Sequence, residues 1–289
     1  MLTQLLPFLL VQVAMVSSPW NALLDESRTL MGENTYTLLQ RQHHEFIGGN
    51  SPTIADTRIK RIPIVEAGEP LIDLWATNHA RISALSDQEL PAAHYAPEDI
   101  DPRAPSYSMV RKSVFEALMR MVQELDTLAP HFGYEAGDLE IKLFEGLRDI
   151  ATQKELFDTK FAAIRAHNPH LSLEQAYIET SKWVSPYIDN VPTHSTGAAI
   201  DIVLWSKKKN RFCDMGRFNV GGVNALTFSE DATLTTEQRN NRLLFLIAAT
   251  RAGLTNYLYE FWHFSYGDRY ARYWRESDPK KRIARYGSL

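Results

Sequence analysis

The chain has 289 residues, of which 44% are hydrophobic and 23% charged, with a formal net charge of −4. A chain of this length can bury roughly three-quarters of its unfolded surface, so it suits one large domain and needs no cross-links. The two signs of charge are interspersed, which excludes the basic stripe of a nucleic-acid binder. The single cysteine, Cys213, excludes an internal disulfide.

The amino terminus carries a mostly apolar stretch over residues 5–16. It is too short to span a bilayer, which needs about 20 residues. It has the length of a signal core and is followed by Ser17-Ser18, but no Lys or Arg precedes it and Pro19 follows. The preferred reading is an N-terminal helix in a cytoplasmic protein. A cleaved signal would instead place the protein in the periplasm or outside the cell. Residues 1–57 are read as an extension, with His43-His44 exposed in polar sequence, and residues 58–289 as the functional domain.

Residues 58–74 read as an entering strand, with Ile59, Ile62, Ile64 and Val65 apolar. Residues 92–108 are Pro-rich and acidic, hence loop. From 109 to 128 the residues Val114, Leu118, Met121, Leu125 and Leu128 recur on one helical face, and Pro130 and Gly133 end the helix. Residues 139–144 alternate as a strand, with Arg148 at its exit. A helix over 152–166 follows, then Ser172-Leu173-Glu174-Gln175 as a capping box opening another. Residues 183–191 form a loop. The apolar run 199–204 reads as a buried strand, Lys207-Lys208-Lys209 as a solvated turn, and 212–215 as a returning strand. The Gly- and Thr-rich segment 216–234 is expected to cover a pocket. Thr235 to Gln238 starts the last long helix, with Gly253 just past its end. Residues 256–264 are read as one final strand.

Two stretches hold the chemistry. Thr193-His194-Ser195-Thr196-Gly197-Ala198-Ala199-Ile200-Asp201 offers an imidazole, a turn and then a carboxylate inside the apolar strand. Strand alternation puts Asp201 on the face opposite Ile200 and Ile202. A buried carboxylate needs a partner, and a metal shared with His194 supplies one. Downstream, Tyr259-Glu260-Phe261-Trp262-His263-Phe264 adds a second imidazole and a spare carboxylate. Three protein ligands with one position open is how catalytic zinc is held, and a nearby Glu is the acid/base that water attack on an amide requires.

These stretches belong to an ordered set: Glu66-Ala67-Gly68-Glu69-Pro70-Leu71, Glu145-Gly146-Leu147-Arg148, the 193–201 stretch, Asp214-Met215-Gly216, Asn241-Arg242-Leu243-Leu244, and Ala252-Gly253-Leu254-Thr255-Asn256-Tyr257 running into residues 260–268. Over roughly residues 60–275 the set resembles the zinc D-alanyl-D-alanine dipeptidases of the M15 metallopeptidase group. The resemblance implies an α+β fold, a small, mostly antiparallel sheet with flanking helices of the hedgehog/D,D-peptidase zinc type. It implies one Zn2+ per chain on His194, Asp201 and His263, Glu260 as general base, and Arg148 stabilising the oxyanion. The implied substrate is a small D,D-dipeptide and the implied role is cell-wall precursor turnover. A D,D-carboxypeptidase or L,D-endopeptidase shares the ligand pattern, and a catalytically silent zinc-bearing binding module is the reading of another class. Relatives carry a small residue and then an aromatic-Asp pair after Met215-Gly216, where this chain has Arg217-Phe218-Asn219. Asn219 is therefore a weak candidate for the substrate's ammonium, Thr193 and Ser195 are likewise weak substrate-binding candidates, and Ser195 and Thr196 read first as turn formers or pocket lining. No nucleic-acid partner and no membrane span are expected, and the sequence leaves the oligomeric state open.

Overall fold

A computed structural model describes residues 19–90, 103–217, 225–229 and 233–289. In chain order the elements are α1 (Pro19–Glu26), α2 (Arg28–Met31), α3 (Glu33–Ile47), α4 (Thr57–Lys60), β1 (Leu71–Asp73), β2 (Ile82–Ala84), β3 (Met109–Arg111) and α5 (Lys112–Leu128). They continue with β4 (Leu139–Glu145), α6 (Ile150–His167), α7 (Leu173–Thr180), β5 (Ala199–Ser206), β6 (Arg211–Phe212), α8 (Thr236–Arg251), β7 (Thr255–Tyr257), β8 (Glu260–Ser265) and α9 (Arg269–Arg275). The main sheet has the order β2-β4-β5-β8-β7, with β6 paired to the far end of β5. Only the β2–β4 pair is parallel among these strands. The fold is thus α+β with a mostly antiparallel sheet, as the sequence implies.

Register divides the sheet into two faces. Ile141 pairs with Leu204, Leu143 with Ile202, and Ile200 with Phe264. Cross-strand partners share a face, so these six side chains form one apolar surface. Phe264 meets Phe245 of α8 edge to face at 4.9 Å, which identifies that surface as the one α8 covers. Helix α5 packs on β4 and against α8. Asp201, paired with His263, lies on the opposite face.

Local signals explain most boundaries. Helix α5 buries Val114, Leu118, Met121, Leu125 and Leu128 along one side. Both Ser172 and Thr235 make reciprocal capping boxes, with Gln175 and Gln238 respectively, satisfying backbone donors at the start of α7 and α8. Gly253 follows the C-cap of α8 with φ +100°, a conformation that favours glycine. Helix α8 is buried on every side from Asn241 to Thr250. Its polar residues are therefore bonded: Arg242 donates to the carbonyls of Met215 and Leu226, and Asn241 donates to Asp214 O and accepts from the Tyr134 hydroxyl.

Several expectations are corrected. Residues 58–74 are not one strand: Asp56 caps a helical turn by accepting from Arg58 N, and only Leu71–Asp73 is extended into a sheet. The returning strand is Arg211–Phe212 and does not reach Met215. The segment expected to be one strand over 256–264 is a hairpin, β7 and β8, turning at Leu258-Tyr259. His43 is not exposed: it sits on α3 at 1% exposure, edge-on to Phe228 at 5.0 Å.

Residues 19–47, expected within an extension, pack into the common core. Trp20, Leu24, Met31 and Leu39 belong to the same cluster as the sheet and α8, and Trp20 Nε1 donates to Ser229 O at 2.9 Å. The apolar stretch 5–16 lies outside the described residues, as do 218–224 and 230–232 of the segment expected to cover a pocket. Of its described residues, 225–229 pack against α1, α3 and β7. Among the described residues no helix is long and apolar enough to cross a membrane.

The burial of His43 has a measurable consequence. Burial first, and the neighbouring His44 second, push its pKa down from 6.5 to about 4. Between those values the unfolded chain binds a proton that the folded chain refuses, so stability rises with pH across this window. Stability is complete above about 6.5 and is lost as pH falls towards about 4. In His43→Gln the drop in Tm between neutral pH and pH ~4.5 should be smaller than in the wild type. Equal drops in thermal melts of the two proteins would assign the acid sensitivity elsewhere.

Candidate metal centre and active site

The register Asp201↔His263 brings a carboxylate and an imidazole together across β5 and β8. The third group arrives from the loop before β5. Residues His194–Thr196 form a 3-10 turn closed by Gly197 at φ +68°. A Cβ there would adopt an unfavourable conformation and stand 3.1 Å from Leu71. Thr196 ties the turn internally, donating through Oγ1 to Thr193 O at 2.6 Å and accepting from Ala198 N at 3.0 Å.

The three groups converge to a triangle. His194 Nε2 is 3.0 Å from His263 Nδ1 and 3.4 Å from Asp201 Oδ1, and His263 Nδ1 is 2.9 Å from Asp201 Oδ1. Ligand atoms on a tetrahedral ion with bonds of ~2.1 Å stand about 3.4 Å apart. All three residues are buried. Asp201 Oδ1 accepts no well-formed hydrogen bond among the described residues and faces both imidazole nitrogens, a buried carboxylate placed to share a cation with them. The outer ring atoms are supported as metal-binding imidazoles usually are: His194 Nδ1 donates to Gly146 O at 2.9 Å, and His263 Nε2 lies 3.5 Å from Thr193 Oγ1. The residues fit zinc. Burial opposes charge on both His194 and Asp201, yet their mutual attraction prevails, raising the His194 pKa and holding Asp201 well below the carboxylate range.

Glu260 and Arg148 line the same cleft as the triangle. Glu260 Oε2 is 3.7 Å from His263 Nδ1. Burial, helped by the charges of Asp201 and Glu145, lifts its pKa to about 7 against the pull of His263 and Arg148. Arg148 leaves β4 just after Glu145. Its Nε donates to Glu145 Oε1 at 2.7 Å, Nη2 to Glu145 Oε2, and Nη1 to Gln153 Oε1 at 3.1 Å. Gln153 Nε2 in turn donates to Ser185 O at 2.7 Å, joining the guanidinium to the loop that forms the opposite wall.

Of the weaker candidates, Thr193 lines the cleft and supports His263. Ser195 is fully buried in the turn, outside the cleft lining, with its Oγ lacking a partner among the described residues. Asn219 lies outside the described residues. The sequence reading missed Ile54, which walls the cleft from the segment taken as an extension, and Trp183 and Val184, which wall it from the loop after α7. It also gave no role to the motif at 66–71. In the structure Glu69 O accepts from Arg111 Nη1, and Arg111 Nε donates to Thr196 O, so this motif braces the His194 turn from behind.

Comparison with known proteins decides the family. A sequence profile of the M15 peptidases, described as D-Ala-D-Ala dipeptidase, matches residues 128–278, just over half of the chain. The chain belongs to the M15 peptidase family. It is a metallopeptidase of the D-Ala-D-Ala dipeptidase type, and zinc is the metal its candidate His-Asp-His site suggests. A D-alanyl-D-alanine dipeptidase from Synechocystis is 28% identical over 266 residues, covering 81% of this chain and 98% of the relative. Among solved structures, VanYB in complex with D-alanine-D-alanine is 16% identical, covering 57% of this chain and 75% of that one, with a TM-score of 0.33. The LdcB LD-carboxypeptidase is also 16% identical, covering 77% and 99%, with a TM-score of 0.35.

A bound ion stabilises the folded state by mass action, by about 2.7 kcal/mol at a hundredfold excess over Kd. Zinc should therefore raise the Tm of the M15 peptidase by several degrees, and Asp201→Ala and His263→Ala should each abolish that rise. A full zinc-dependent shift in either folded variant would place the ion elsewhere.

Proposed function

We propose that this M15 peptidase binds one zinc ion per chain on His194 Nε2, Asp201 Oδ1 and His263 Nδ1, and hydrolyses D-alanyl-D-alanine in cell-wall precursor turnover. The observation that supports this most is the buried triangle with a carboxylate and a guanidinium bordering the same cleft. When bound, zinc supplies Lewis acidity that polarises the scissile carbonyl and lowers the pKa of water to near ~7. The activity of the Synechocystis relative supports the substrate assignment.

The remaining steps belong to side chains of the chain itself. Glu260 takes a proton from the attacking water on a carboxylate oxygen and passes it to the departing amine. Its place in the cleft beside His263 puts a carboxylate next to the open position of the metal site, where such a proton shuttle is needed. The Arg148 guanidinium faces the charge that grows on the carbonyl oxygen as the tetrahedral intermediate forms. Glu145 and Gln153 hold it from behind, so little reorganisation accompanies the reaction. Trp183, Val184 and Ile54 give the cleft an apolar border beside these groups.

The test is release of D-Ala from D-Ala-D-Ala by zinc-loaded protein, beside a chelated control and an N-acetylated dipeptide. Hydrolysis of the free dipeptide is expected, and hydrolysis of blocked or longer D,D-peptides alone would reassign the enzyme as a carboxypeptidase. Glu260→Gln should keep zinc and lose about 10²- to 10⁴-fold in kcat. Arg148→Ala should lose about 10²- to 10³-fold, mainly in kcat. A change confined to KM would make Arg148 a binding group.

A further inference from the structure

Glu260 and His263 are three residues apart on one strand. Side chains in a regular strand alternate, so residues at odd separation point to opposite faces. Both nevertheless border the cleft. The register explains how. Thr255 pairs with Ser265 and Asn256 with Phe264, but the next residue, Tyr257, pairs with Glu260. Phe261, Trp262 and His263 therefore have no opposite number on β7. They form a bulge of three residues, the device by which a strand re-aims side chains.

A bulge leaves peptide groups without ladder partners, and buried ones must be satisfied. One side chain does this. Asn256, 1% exposed, shares the two hydrogens of Nδ2 among three carbonyls, Glu260 O and Phe261 O at 3.2 Å each and His263 O at 3.0 Å. Its orientation is fixed at the other end, where Oδ1 accepts from the Thr227 hydroxyl. Thr227 also reaches Tyr257 O at 3.3 Å, and its own N–H donates to Leu258 O.

We infer that Asn256 is the positioning residue of this site: its amide substitutes for the missing strand ladder and holds the bulge that turns Glu260 and His263 into the cleft together. The inference rests on the roles proposed above for those two residues, but Asn256 itself borders neither the metal triangle nor the cleft. An apolar or acidic replacement removes the donor that these three carbonyls share, and the bulge relaxes towards regular alternation.

The experiment compares wild-type, Asn256→Asp and Thr227→Val proteins. Asn256→Asp keeps the shape and removes the donor. Thr227→Val keeps the volume and removes the group that sets the amide's direction, and it carries the test if the Asp variant fails to fold. The first readout is metal affinity, by cobalt(II) absorption titration and by zinc competition with a chromophoric chelator, which needs no substrate. A weakening of about 10- to 100-fold is expected, the usual cost of losing a group that orients a ligand, with a change in the cobalt spectrum. The second readout is turnover of D-Ala-D-Ala, with kcat falling more than tenfold and KM nearly constant. Folded variants with wild-type metal affinity and kcat, or with lower Tm alone, overturn the inference. An inactive wild type would sink the substrate assignment and leave the metal comparison standing.

Discussion

The site depends on one cross-strand pair. Asp201 and His263 oppose each other in the antiparallel ladder between β5 and β8, and everything else converges on the space between them. Register has a period of two, so a slip of one residue would send Asp201 into the face covered by α8 and bring Ile200 or Ile202 to the cleft. Such a slip would bury a carboxylate among Leu204, Phe264 and Phe245, where nothing repays its desolvation. The apolar face thus enforces the register that the chemical face needs. Stability and ligand geometry are consequences of the same pairing.

The third ligand is held differently. His194 sits on a short turn, and a turn has no ladder to fix it. Its carbonyls are instead bonded from outside: Arg148 N donates to His194 O, Arg111 N to Gly197 O, and Leu289 N to Ser195 O. Arg111 is itself buried and fixed by an ion pair with Glu66 and by Glu69 O. Glu69 is anchored by Ser113, Tyr286 and Arg285. The motif at 66–71 and residues 284–289 therefore act on the metal centre without touching it.

What the sequence made legible follows from which interactions are local. Periodicity located α5 and β4, capping boxes located α7 and α8, and alternation put Asp201 opposite Ile200. Each of these rests on residues within a few positions of one another. The failures are long-range. His43 reads as exposed because its neighbours in sequence are polar, whereas its burial comes from Phe228, far along the chain. Ile54 reads as part of an extension because nothing near it reveals that Ser51 O will accept from the Tyr259 hydroxyl and bring that segment to the cleft. Residues 256–264 read as one strand because they are rich in aromatic residues, which favour strand, and the turn at Leu258-Tyr259 carries neither Gly nor Pro. The odd spacing of Glu260 and His263 pointed to a second irregularity, the bulge in β8, since a regular strand would send the two groups to opposite faces.

The arrangement of Arg148 shows how the same economy of contacts serves catalysis. An arginine aimed at a developing oxyanion is useful only if it is already in place, since reorienting a buried guanidinium during the reaction would add to the barrier. Glu145 and Gln153 keep it in place, but a carboxylate partner also drains the positive potential it can offer to substrate. The geometry limits that loss. Glu145 engages Nε and Nη2, and Gln153, a neutral group, engages Nη1. A second carboxylate at the Gln153 position would hold the guanidinium equally well and would leave it electrostatically silent. It would also raise Glu260 further, because Glu145 and Asp201 already act on that carboxyl in the same direction. The neutral amide fixes the cation, ties it to the Ser185 wall, and leaves the balance of charge in the cleft to the metal ligands and the base.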